Sequence, residues 1–217
     1  MKKGNKKTVV DVNVVAGVRN ALLLSMLPHA NEILDIGSGA SGFVNFYPFL
    51  NCNVTFVDKK HSENDGFLNS RHKDCRFTYI ETYSDNLSML KNDSFDMVIF
   101  NHVIEHLTDK QVDGTMKEIH RVLKPGGLLM VGTPNKPARI MVNKYLSNEY
   151  HIREYTNAEM IDIHTRHGFT IVENKGIVKV VDGIIHMREQ PKTPEEGYLL
   201  WFISTKKGKG AALRKVF

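Results

Sequence analysis

Two groups of residues in this chain have types and spacings suited to chemistry. The first is the run Gly37-Ser38-Gly39-Ala40-Ser41-Gly42, which follows the short apolar stretch Ile33–Ile36. Asp35 stands two residues ahead of it, and Asp58 about 20 residues beyond, at the end of a second apolar stretch. Read as G-x-G-x-x-G, such a turn lets backbone approach a nucleotide, and an acid at that distance accepts hydrogen bonds from ribose hydroxyls. The second group is His102, Glu105 and His106, joined later by His151 and Arg153. If a helix starts there, His102 and His106 share one face. Imidazole exchanges a proton near neutral pH. A guanidinium holds a carboxylate or phosphate bidentately, and mixed His/carboxylate sets suit zinc, iron or manganese better than magnesium.

Asp35 decides which nucleotide the turn prefers. A dinucleotide brings a pyrophosphate, which a neighbouring carboxylate repels. S-adenosylmethionine brings an ammonium and a sulfonium, which Asp35 attracts directly or through water. An NAD-dependent dehydrogenase using the same turn is the alternative; tight NADH binding without S-adenosylmethionine binding would establish it. The literal zinc-peptidase signature H-x-x-E-H at His102–His106 is set aside, because it follows a predicted central strand.

Short apolar runs alternating with amphipathic ones predict βαβ units and a mainly parallel sheet. Strands are predicted at Ile33–Ile36, Asn53–Val57, Arg76–Ile80, Phe95–Phe100, Leu128–Gly132, Phe169–Val172 and Tyr198–Thr205. Helices are predicted at Val12–Leu27, Phe43–Leu50, Asp113–Leu123 and Thr156–His167, the last with Asn157 as its N-cap. Thr133–Tyr155 reads as irregular, and a segment that long between strand and helix points to function. Residues 176–197 read as an insertion of undefined shape. Met141 and Tyr145 are candidate pocket walls, whereas Trp201 and Phe202 belong to a core strand.

Five stretches in order carry a family resemblance: Ile33-Leu34-Asp35-Ile36-Gly37-Ser38-Gly39, then Asp58, Ser94-Phe95-Asp96-Met97-Val98, Asn101-His102-Val103-Ile104-Glu105-His106-Leu107, and Arg121-Val122-Leu123-Lys124-Pro125-Gly126-Gly127. Together they resemble the class I S-adenosylmethionine-dependent methyltransferases, with Ser41 where the usual turn has its third glycine. The resemblance implies a Rossmann-like α/β fold, a seven-stranded mainly parallel sheet with an antiparallel last strand and helices on both faces. It implies a cofactor set of Asp35, Gly37, Ser38, Gly39, Phe43, Asp58, Lys59, Asp85, Asn101 and His102. Gly37 and Gly39 would meet the methionine end, Asp58 the ribose, Asp85 the adenine amine, and Asn101 and His102 the methionyl side. The segment around Glu105 also resembles the E-x-x-E-H metal motif of ubiquinone-biosynthesis O-methyltransferases and of small-RNA 3′-terminal ribose methyltransferases, with His102 replacing the first Glu. His151-Ile152-Arg153-Glu154-Tyr155-Thr156 is similar to a stretch that folds over the acceptor pocket in many relatives. The catalytic candidates are therefore His102, His106, His151 and Arg153. A divalent metal held by His102, Glu105, His106 and His151 is an open alternative rather than the expectation.

Composition narrows the acceptor. A chain of 217 residues fits one domain over residues 1–217, with an N-terminal helical segment to residue 30. The formal charge of +5 is concentrated at the ends, in Lys2, Lys3, Lys6, Lys7 and in Lys206, Lys207, Lys209, Arg214, Lys215. Without them acids outnumber bases, so composition does not support a basic nucleic-acid groove. No apolar run spans a bilayer, no signal-peptide pattern follows the basic start, and Cys52 and Cys75 form no metal spacing. These readings predict a cytoplasmic monomer or homodimer acting on oxygen or nitrogen of a small molecule. Terminal ribose methylation of RNA is the alternative.

Overall fold

The computed structural model describes residues 21, 30–39, 52–60, 76–142, 150–182, 184–186 and 190–207. The predicted helix Val12–Leu27, apart from Ala21, and the predicted helix Phe43–Leu50, with Phe43, lie outside the described residues, as does Tyr145. Eight strands form one sheet: β1 (Glu32–Ile36), β2 (Asn53–Asp58), β3 (Phe77–Glu81), β4 (Phe95–Asn101), β5 (Leu123–Pro134), β6 (Phe169–Val181), β7 (Ile184–His186) and β8 (Gly197–Lys206). Their order is β3-β2-β1-β4-β5-β8-β6-β7. β1 to β5 pair in parallel, while β8 runs antiparallel to both β5 and β6. Seven long strands thus make the expected sheet, and the three-residue β7 adds a short edge.

The strand sequences are apolar at successive positions because both faces are covered. Ile33, Phe56, Met97, Ile99, Met130 and Trp201 pack on one face with Ala138. Leu34, Val57, Val98, Phe100, Leu129 and Phe202 pack on the other with Val112, Met116, Ile119, Met160 and Ile163. These two sets belong to α2 (Lys136–Val142) on the first face, and to α1 (Asp109–Val122) and α3 (Asn157–Arg166) on the second. The chain passes from β1 outward to β3 and returns to β4 on the other side of β1. That reversal leaves a crevice at the carboxyl ends of β1 and β4, where open α/β sheets bind ligands.

Several boundaries differ from the sequence reading. α1 starts at Asp109, four residues early, because Thr108 and Gln111 form a capping box. α3 is capped by Thr156 with Glu159, not by Asn157. Within the stretch read as irregular, Lys136–Val142 is helical, with Pro137 in its first turn where a missing N–H costs nothing. β6 continues to Val181 and, with β7 and the 3-10 turn Pro194–Glu196, gives the described residues between 176 and 197 their shape. Among the described residues no helix is long and apolar enough to cross a membrane.

Candidate functional site

β1 ends at Ile36, and the chain turns through Gly37 (φ +70°) and Gly39 (φ +47°). Gly37 donates its N–H to Val57 O at 2.7 Å. Asp58 Oδ2 accepts the Gly39 N–H at 2.9 Å, and Oδ1 the Lys60 N–H at 3.3 Å. The carboxylate therefore ties the turn after β1 to the end of β2. A Cβ on Gly37 would lie 2.3 Å from Val103 Cγ2. Only glycine lets the segment leaving β4 rest against the turn.

A cleft of about 400 Å³ opens at this point. Ile36, Gly37, Val57, Asp58 and Lys59 form one wall, and Thr82, Tyr83 and Ser84 a second. His102, Val103, His106, Leu107 and Gln111 form the third, with Tyr150 at the edge. Other expected residues stand elsewhere. Asp35 lies inside β1 rather than in the turn, is 3% exposed, and faces Phe56 and Ile99 in register. Ser38 is buried and outside the cleft lining. Asp85 is exposed and packs against Gly114, where a Cβ would come within 3.0 Å of its own. Asn101 lies over Gly132, where a Cβ would meet its Oδ1 at 2.1 Å.

Beyond β4 the backbone is unusual. His102 has φ +55°, a left-handed conformation that costs a non-glycine residue energy and clusters at functional sites. It leads into a 3-10 turn, Ile104–His106, with Glu105 fully buried inside. His102 Nδ1 lies 3.0 Å from Glu105 Oε1, and Thr133 Oγ1 donates to Oε2 at 3.1 Å. Burial pushes the Glu105 carboxyl up, but the hydrogen bond and charge of His102 outweigh it and hold it below the usual carboxylate range. His106 Nδ1 meets Tyr150 O at 2.7 Å, and His151 Nδ1 meets Glu154 Oε1 at 2.9 Å. Carboxylates and carbonyls only accept, so each of these three rings donates from Nδ1, and Nε2 carries the lone pair in the neutral ring.

The structure brings part of the predicted cluster together. Glu105, His106 and His151 each place one donor atom within 4.8 Å of the others and could hold a metal ion; His102 stands outside that group. The His106 and His151 rings meet edge-on at 4.9 Å. Arg153 does not join them. Its guanidinium donates to Asp109 and Glu159 at 2.8 Å each and lies 5.2 Å over the Tyr155 ring, on the α1–α3 flank. Glu159 is correspondingly drawn down to about 2, first by the Thr156 N–H and, against the opposing effect of burial, by Arg153. The sequence reading missed Tyr83, Gln111, Thr133, Tyr150, Arg139 and Glu154. Of these, Gln111 was signalled by the pattern Thr108-x-x-Gln111, and Glu154 by its place three residues after His151.

A family model described as a methyltransferase domain matches residues 14–174. The chain belongs to the class I S-adenosylmethionine-dependent methyltransferases. This methyltransferase is 33% identical over 150 residues to a probable S-adenosylmethionine-dependent methyltransferase of Mycobacterium tuberculosis, covering 68% of this chain and 52% of that one. It is 33% identical over 144 residues to a ubiquinone biosynthesis O-methyltransferase of Bradyrhizobium, covering 62% and 52% respectively. The methyltransferase thus spans about half the length of these curated relatives. It shares its fold with the 1,6-didemethyltoxoflavin N1-methyltransferase of Burkholderia thailandensis, solved with S-adenosylhomocysteine, at a TM-score of 0.67, 18% identity, and coverage of 91% and 82%.

Proposed function

We propose that the methyltransferase holds S-adenosylmethionine in the cleft between the ends of β1, β2 and β4. In this reading it transfers the methyl group to oxygen or nitrogen of a small-molecule acceptor by in-line displacement. The observation that carries this reading is the cleft's two-sidedness. Gly37 and Asp58 stand on one side, and His106 on the other, with the His151 ring against it. The residues fit the cofactor. The volume falls in the range of small-molecule sites, roughly 300–1,000 Å³. The positive-φ glycines bare the backbone for the methionine end, Asp58 accepts from ribose hydroxyls, and Val57, Val103 and Leu107 offer apolar contact. Thr82–Ser84 take the adenine edge in place of Asp85. Asp35, Ser38 and Asn101 support these walls from behind them, and Lys59 flanks Asp58.

The bound sulfonium supplies a methyl carbon already activated for displacement. The protein's own task is alignment and exclusion of water. His106 and His151 present Nε2 lone pairs that take the proton an O–H or N–H acceptor must lose. His102 lines the cleft with its Nδ1 committed to Glu105. Arg153 leaves the catalytic set, because both ends of its guanidinium are held by Asp109 and Glu159.

The decisive experiment incubates the protein with methyl-labelled cofactor and a cellular metabolite extract. A labelled product of low mass is expected. Label in RNA, with salt-dependent RNA binding, would overturn the small-molecule reading. Three substitutions divide the site. Asp58→Ala is expected to weaken cofactor binding in calorimetry by roughly 1–3 kcal/mol, the loss of hydrogen bonds to a charged group. Unchanged affinity would remove Asp58 from the site. His106→Ala and His151→Ala are expected to lower kcat while leaving the cofactor Kd nearly unchanged; the opposite pattern would assign them to cofactor binding.

A further inference from the structure

We infer that Glu154, clamped by Arg139, is the positioning residue that fixes the tautomer of His151 and keeps its Nε2 available beside His106. The functional part of this inference rests on the methyl-transfer reading; the tautomer part does not.

The geometry is a three-residue relay. Glu154 Oε1 accepts from His151 Nδ1 at 2.9 Å and is ion-paired with Arg139 Nη2 at 3.1 Å. All three side chains are largely buried, at 10%, 18% and 14% exposure for His151, Glu154 and Arg139. An ion pair this secluded is screened little by water, so the carboxylate is held in place. A carboxylate beside Nδ1 excludes the tautomer that carries its proton on Nε2, since Nδ1 would then present a lone pair to an anion. Carboxylates behind histidines orient the ring in this way at metal and hydrolase sites. Arg139 anchors the carboxylate from α2, whereas His151 and Glu154 belong to the segment that follows. The ring's orientation is therefore set by a helix on the opposite side of the sheet from α1 and α3.

His106 shows the contrast. Its Nδ1 is held by a main-chain carbonyl, that of Tyr150, which carries no formal charge. The two neighbouring rings thus share a tautomer but differ in their support, and His151 has the anionic partner. That asymmetry sets the orientation of the His151 ring apart from that of its neighbour, with Glu154 as the residue responsible.

The test is long-range nitrogen–proton NMR of the imidazoles in the whole protein, with His151→Ala used to assign the His151 signals. The native protein is expected to show a protonated Nδ1 and an unprotonated Nε2 at His151. Glu154→Ala should average the two nitrogens toward intermediate shifts, and Glu154→Gln, which keeps an acceptor oxygen, should restore the native pattern. If Glu154→Ala does not fold, Glu154→Met fills the space without supplying an acceptor. Turnover in the Ala or Met variant should fall about 10–100-fold in kcat, with the cofactor Kd unchanged. A His151 nitrogen pattern indifferent to Glu154→Ala or Glu154→Met would overturn the inference. So would an unchanged kcat in those variants when His151→Ala lowers it. If His151→Ala retains full turnover while the tautomer shift appears, the acceptor-side reading fails and the positioning of the ring stands.

Discussion

Gly37→Val is expected to weaken S-adenosylmethionine binding by about 100-fold or more. Two costs combine. A β-branched residue at φ +70° sits in a backbone region that disfavours it by roughly 1–2 kcal/mol. Its Cβ also begins 2.3 Å from Val103 Cγ2, and overpacking of this kind costs typically 1–3 kcal/mol. The turn can escape both only by moving away from Val57 and Val103, which dismantles the wall offered to the cofactor. A combined Gly37→Ala, Val103→Ala variant separates the terms. It relieves the contact with the Val103 methyls but not the backbone strain, and should recover part of the affinity that Gly37→Ala alone loses. Calorimetry with S-adenosylmethionine reads this directly, and thermal unfolding of each variant checks that the fold survives. Native affinity in Gly37→Val would show that the turn is not part of the cofactor site.

Glu105→Ala is expected to destabilise the protein by about 3 kcal/mol and to change how stability responds to acid. The side chain is fully buried and accepts from His102 and Thr133, so its removal leaves a cavity and two orphaned donors. It also releases a histidine whose left-handed backbone depends on surrounding contacts. The pH dependence follows from the direction of the carboxyl shift. A carboxylate held below its unfolded value contributes stability that is fully present above the unfolded value. That stability is lost as the pH falls through the folded value. The native protein should therefore weaken steeply on the acid side of the carboxylate range, and Glu105→Ala should start lower and fall less. Denaturant titrations at neutral and acidic pH measure both. Parallel acid limbs in the two proteins would show that Glu105 does not carry this linkage.

The central strands were legible because burial on both faces writes itself as an unbroken apolar run, as in Phe95–Phe100. Once those strands were placed, the cleft followed from their carboxyl ends, and Gly37, Gly39 and Asp58 were identified from spacing alone. Features that depend on distant partners were not legible. Arg153 is close in sequence to His151, yet its direction is set by Asp109, which is remote in the chain. β6 seemed to stop at Val172 because Glu173, Asn174 and Lys175 look like a loop; they are strand residues because β8 lies alongside them, past an irregularity between Ile171 and Glu173. Spacing placed Asp35 in the first strand but did not show that its side chain is buried there, outside the cleft lining. α1 began before its apolar periodicity did, since capping residues are polar.

The 3-10 turn Ile104–His106 serves two surfaces. Val103 and His106 flank the cleft, while the Glu105 carbonyl accepts the N–H groups of Ile152 at 2.8 Å and Arg153 at 3.2 Å. The chain that carries His151 is thereby hung on the wall that would meet the cofactor. Thermodynamic reciprocity then applies: by whatever factor one bound molecule tightens the hold on the other through this turn, the second tightens the first equally. The hold on the cofactor and the hold on the acceptor would be linked through a single main-chain oxygen.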